Sequence, residues 1–171
     1  MPGSPPHAPR KSPAQARSAA TVSAILEAAA RVLEDQGLEG YTTNAIARRA
    51  GVSIGSLYQY FPGKEAITRA LIERQAAALL DEVRALDGCE DGRAGLAQLI
   101  RAAVGYQLDR PALARLLDFE ERRLPLGDEI ASVEQTIHAT LERLLGRPDL
   151  PPQADPATAA HDLLAIAKGL T

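Results

Sequence analysis

Residues 42–61 read TTNAIARRAGVSIGSLYQYF, and this stretch decides the fold. It has the pattern of two short helices broken by a tight turn, the unit that lays its second helix in a DNA major groove. Thr43 is placed to cap the first helix, and Ile46, Ala47 and Ala50 give that helix an apolar stripe. Gly51 ends it, because glycine accepts the left-handed backbone that stops a helix without a Cβ clash. Ser53 is placed to cap the second helix, whose Leu57 and Phe61 stand four apart on one face. Ala47 is small, as a close helix crossing requires. The opposite face of the second helix carries Ser56, Tyr58 and Gln59, all able to hydrogen-bond. A helix that turns polar side chains outward, with Gly55 near its start, suits close approach to DNA.

Around this stretch the chain reads as all-helical. It has 171 residues, 46% of them hydrophobic but only 4% aromatic, and alanine and leucine dominate without alternating runs. One cysteine, Cys89, excludes an intramolecular disulfide and fits a reducing compartment. No apolar run approaches the roughly 20 residues a membrane span needs. The Pro-rich start has Arg10 and Lys11 but no apolar stretch behind them, so it is not a signal peptide, and a cytoplasmic protein is expected. The net charge of −3 hides an asymmetry. Residues 1–64 carry seven Lys/Arg against four Asp/Glu, whereas residues 65–171 carry twelve against eighteen. A basic front on an acidic body places the polyanion-binding surface at the two-helix stretch.

Three parts are expected. Residues 1–16 form a Pro-, Ala- and Ser-rich disordered arm. Residues 17–63 form a three-helix DNA-binding domain, whose first helix runs over about 17–36 on Val22, Ile25, Leu26, Ala29, Val32 and Leu33 and ends at Gly37. Residues 64–171 form a helical bundle. Pro62-Gly63 breaks the chain, and a long helix follows over about 64–86. Further helices are expected over about 93–107, 111–122 and 128–145, with a turn at 124–127. Asp155 is placed to cap a last helix opened by Pro156.

The first three helices resemble the front domain of the TetR family of bacterial transcription regulators. The resemblance rests on Gly37, Thr42-Thr43, Ile46-Ala47, Ala50-Gly51-Val52-Ser53, Gly55-Ser56-Leu57-Tyr58, Tyr60-Phe61 and Lys64-Glu65, and covers about residues 17–70. It implies that Thr43 bonds a phosphate at its helix start, and that Ser53, Ile54, Ser56, Tyr58 and Gln59 face the groove. Gln59 is then the best base reader, since its amide can pair bidentately with adenine, whereas Ile54 could only meet a thymine methyl. Tyr60 and Lys64 would hold phosphates, and Gly55 would let the backbone come close. Arg17, with Arg10 and Lys11, would grip the DNA backbone or the adjacent minor groove. Tyr58 and Tyr60 cannot both face inward with Leu57 and Phe61 on one helix.

For the body the resemblance implies a small-molecule pocket and a homodimer on a palindromic double-stranded DNA operator. The family ends in two helices that pair with their mates, and here a single one is legible, from Pro156. A small inducer would tilt the helix over 64–86 and spread the two reading heads. Tyr106 and Phe119, the body's aromatics, are the candidate pocket residues. Residues 120–123, EERR, read as a solvated run with local ion pairs, and Arg48 and Arg49 as a solvated helix face. Cys89 falls in a loop. No nucleophile–base pair, metal site or cofactor motif is read, so no enzyme is expected. The expected function is a DNA-binding regulator, a repressor released by a small molecule. Two rivals are a helical ligand- or partner-binding protein whose front domain does not read DNA, and an architectural DNA binder without a ligand.

Overall fold

The computed structural model describes residues 13–121, 123 and 128–169. Arg10 and Lys11, the turn expected at 124–127 and the last two residues lie outside that set. The described residues form helices α1 (Pro13–Gly40), α2 (Thr43–Ala50), α3 (Ile54–Tyr60), α4 (Lys64–Arg84), α5 (Gly92–Leu108), α6 (Pro111–Glu121), α7 (Asp128–Leu145) and α8 (Pro156–Gly169), without a strand among them. They divide into two compact units, Met1–Lys64 and Glu65–Thr171.

In the first unit α1 packs on α2 and α2 on α3. The apolar repeat of α1 buries Ile25, Ala29, Val32 and Leu33, and Ile46 of α2 and Leu57 of α3 are fully buried as well. Ala47 is buried, as a close crossing demands. α1 begins at Pro13, earlier than expected, because proline's fixed φ and missing N–H suit a first turn. Arg17 therefore lies on a helix, its carbonyl accepting from Thr21 Oγ1 at 2.9 Å. Gly37 does break the regular helix, with φ 63 and ψ −167, and one further turn then reaches Gly40.

The cap of α2 is Thr42, not Thr43. Thr42 has an extended backbone and its Oγ1 accepts from Ala45 N at 3.1 Å. Two adjacent threonines are equivalent to a local rule. The winner is set by the phase that sends Ala45, Ile46 and Ala47 into the core.

In the second unit α5 packs on α7 and α6, and α7 on α8. Its core joins Val83 and Leu86 to Leu99, to Leu141, Leu144 and Leu145 of α7, and to Ala160 of α8. α5 approaches α7 closely at Gly95, where a Cβ would stand 2.6 Å from Leu144 Cδ2. The loops at one end are cross-braced. Asp149 Oδ2 accepts from Gly92 N at 2.8 Å and Arg93 N at 3.2 Å, completing the start of α5 with Asp91, whose Oδ1 accepts from Ala94 N. Arg143 donates to Leu86 O at 3.0 Å, and Arg147 donates to Glu90 O. Asp155 caps α8 as expected, accepting from Ala157 N and Thr158 Oγ1. Among the described residues no helix is long and apolar enough to cross a membrane.

Candidate nucleic-acid interface

Local chemistry sets the angle between α2 and α3. Gly51 sits at φ 70 and ψ 25, the left-handed cap, and the last carbonyls of α2 are taken by Gly51 N on Arg48 O and Val52 N on Ala47 O. Ser53 then starts α3, its Oγ accepting from Ser56 N at 3.0 Å. Phe61 follows the helix as its C-cap, with its N–H on Leu57 O. Leu57 and Phe61 are both buried, and these two anchors fix which face of α3 is outward.

Helical geometry places Gly55 and Gln59, four apart, on the side opposite Leu57. Both are exposed. Tyr58 is 50% exposed on one flank and Ile54 38% exposed beside it, while Ser56 lies half-buried on the other flank with Tyr60. The absent side chain at Gly55 lowers the surface next to the Gln59 amide. Ser53 and Ser56 share a hydroxyl–hydroxyl hydrogen bond of 2.8 Å, so the two serines form a coupled pair. Thr43, released from capping, lies at the first position of α2 and its Oγ1 is 3.3 Å from Tyr58 Oη.

Lys64 begins α4 and is exposed, with its Nζ 5.9 Å from the centre of the Tyr41 ring. A cation at a helix N-terminus is unfavourable, and Glu65 in the same turn together with the Tyr41 face offsets that cost within the protein. Tyr41 is a neighbour of Lys64 that pattern reading missed. Arg49 pairs with Asp35 of α1 at 2.7 Å, bracing α2 against α1, and Arg48 is exposed. Arg17 is exposed on α1.

Phe119 is 47% exposed on α6 and is covered by the Arg123 guanidinium at 5.6 Å, next to the Glu120–Arg123 ion pair of 2.8 Å. The side chain of Tyr106 lies outside the described set. A cavity of about 490 Å³ opens between α4 and α5, lined by Gln75, Glu82, Gln98, Arg101, Asp109 and Arg110. Their spacing along one face of each helix was the available signal, masked because exposed polar residues at helical spacing also describe a solvated face. Cys89 is half-buried with its thiol donating to Asp91 O at 3.2 Å. His138 Nδ1 stands 4.0 Å from Glu142, and among the described residues no three His, Cys, Asp or Glu gather as a metal ion would need.

Two family patterns match the chain. One, described as bacterial regulatory proteins of the tetR family, covers residues 25–71, and the other, a tetracyclin repressor-like C-terminal domain, covers 93–171. The A-factor receptor protein of Streptomyces griseus is 31% identical over 162 residues, which are 91% of this chain and 55% of that protein. The chain thus spans about half the length of this relative. A TetR-family transcriptional regulator from Streptomyces coelicolor superimposes with a TM-score of 0.60 at 25% identity, over 88% of this chain and 81% of that one. The fatty acid degradation regulator FadR of Bacillus halodurans shares the fold, with a TM-score of 0.69 at 22% identity over 94% and 83% of the two chains. With its capped helix pair at the front and its helical body behind, the chain belongs to the tetR family of bacterial regulatory proteins.

Proposed function

We propose that this protein is a cytoplasmic, sequence-specific DNA-binding transcription regulator, a repressor that binds a palindromic operator as a homodimer and is released by a small molecule. The observation that carries the reading is the outward face of α3, where Gly55, Tyr58 and Gln59 are exposed while Leu57 and Phe61 anchor the helix from behind. In this reading Gln59 reads a base, Ser56 pairs with base edges, Ser53 faces the groove, and Ile54 meets a thymine methyl. Thr43, Tyr60 and Lys64 hold the backbone, Tyr58 faces the groove with Gln59, and Arg17 adds a cation on α1. Gly55 lets α3 sink into the groove. Two such helices must reach successive major grooves about 34 Å apart, so a modest tilt of α4 is enough to end simultaneous docking.

The reading is supported by family membership and by the basic front of the chain. It is tested by selecting bound sites from random duplex DNA at about physiological salt, where non-specific association is weak. An inverted repeat is expected, with half-sites one helical turn apart. Recovery of no motif by a folded sample would overturn it.

A further inference from the structure

The α4–α5 hairpin is closed at its loop end and open beyond it. Near the loop, Val83 and Leu86 pack with Leu96 and Leu99 in the body's core. Further along, the facing positions shrink to Ala78 on α4 and to Ala102 and Gly105 on α5, and the cavity of about 490 Å³ opens there. Residues of this size cannot fill the space between two helices, and the volume falls within the ~300–1,000 Å³ range of small-molecule sites. Leu79 supplies a partly buried apolar side to the same space.

The charges on the two walls are opposite and kept apart. Glu82 stands on the α4 wall and Arg101 on the α5 wall of one groove. Among the described residues no ion pair joins the two or engages either with another side chain. Asp109 and Arg110 add one more charge of each sign at the far end of α5, so the rim is balanced overall. Both side chains are exposed, and a ligand with a single charge would meet one of them and leave the other without a partner. A ligand with both charges, separated by a short apolar spine, satisfies both.

We propose that this groove binds a small amino carboxylate. Its carboxylate lies on the planar fork of Arg101, its ammonium on Glu82, and its methylene spine over Ala78, Ala102 and Gly105. Gln75 and Gln98 are placed to take the remaining hydrogen bonds. The inference rests on the ligand-released reading given above and names the chemical class of that ligand.

Titration calorimetry and thermal shift on the full chain test it, using ε-aminocaproate, its shorter and longer ω-amino homologues, and caproate and hexylamine as single-charge controls. One length of amino carboxylate should bind and raise Tm, with both controls at least about tenfold weaker, as expected for the loss of one charge-assisted contact. Arg101→Glu or Glu82→Arg alone should abolish binding. The double exchange should restore it with the ligand reversed, an outcome that misfolding cannot imitate. Equal binding of a single-charge control, or no response to any homologue by a folded sample, would overturn the proposal. Site selection on the same sample without ligand judges the DNA reading separately, so failure of one is not mistaken for failure of the other.

Discussion

Thr43 Oγ1 and Tyr58 Oη stand 3.3 Å apart, joining the first residue of α2 to the middle of α3 across the turn. The contact holds the Tyr58 ring, half exposed, at the edge of the outward face of α3. Thr43→Val and Tyr58→Phe should each leave the fold intact, since both groups are at the surface. Each should weaken operator binding by about 0.5–1.5 kcal/mol, and the double variant by less than the sum. Fluorescence anisotropy on a labelled operator provides the cycle. Strict additivity would mean that the two hydroxyls act independently on DNA.

The adjacent threonines should separate cleanly by stability. Thr42→Ala removes the hydroxyl that caps α2 and should cost about 1 kcal/mol in urea unfolding. Thr43→Ala leaves the cap in place and should stay within about 0.5 kcal/mol of the parent. Equal losses would show that capping is shared.

Base reading and backbone holding differ in their salt signatures. Gln59→Ala should relax preference at one operator position by about 1–3 kcal/mol and leave the salt slope unchanged. Lys64→Ala should weaken all sequences alike and lower the slope by about one. Binding isotherms across a salt series on the parent operator and on a point-changed one distinguish them.

Gly51 carries a backbone that a side chain resists. At φ 70, Gly51→Ala should lower the unfolding free energy by about 1–2 kcal/mol, whereas Gly51→Asn should lose less because asparagine tolerates the left-handed region. No atom lies within 4 Å of a Cβ built there, so the loss reports conformation and not crowding.

The loop brace should make the body acid-sensitive. Partial desolvation pulls the Asp149 carboxyl upward, but N–H donors from Arg93, its own backbone and Gly92, with the Arg147 guanidinium, more than offset this and hold it below the ordinary aspartate value of 3.8. Asp155 is held low chiefly by Thr158 Oγ1 and Ala157 N. Both folded pKa values are depressed, so their stabilisation is fully present above the ordinary aspartate range and is lost as pH falls from there through the lowered folded values. Urea midpoints measured from neutral pH downward should fall less steeply in Asp149→Asn than in the parent. Parallel curves would show that the brace does not titrate with folding.

How much could be read in advance depended on whether the information was local. The turn between α2 and α3 was legible because Gly51 and Ser53 act on their own backbone neighbours, and no distant residue can move those bonds. The bounds of α7 and the Asp155 cap of α8 were legible for the same reason. Gly37 was read correctly as a break, yet the extra turn to Gly40 was not visible in the pattern.

Tertiary structure decided the rest. Which of Thr42 and Thr43 caps α2 followed from burying Ala45, Ile46 and Ala47, a demand made by the neighbouring helices. Phe119 was singled out as one of the body's two aromatics, and only the packing of α6 showed that it lies half exposed beneath Arg123. The closeness of Leu144 of α7 to Gly95 is likewise a product of the fold. The Glu82–Arg101 groove could not be foreseen, because a polar helix face means water in one arrangement and a facing wall in another. The sequence by itself thus determined the helices and the turn between α2 and α3 through contacts a few residues long. Only the folded chain decided what faces what, because those relations join residues whose separation in sequence carries no information about their distance in space.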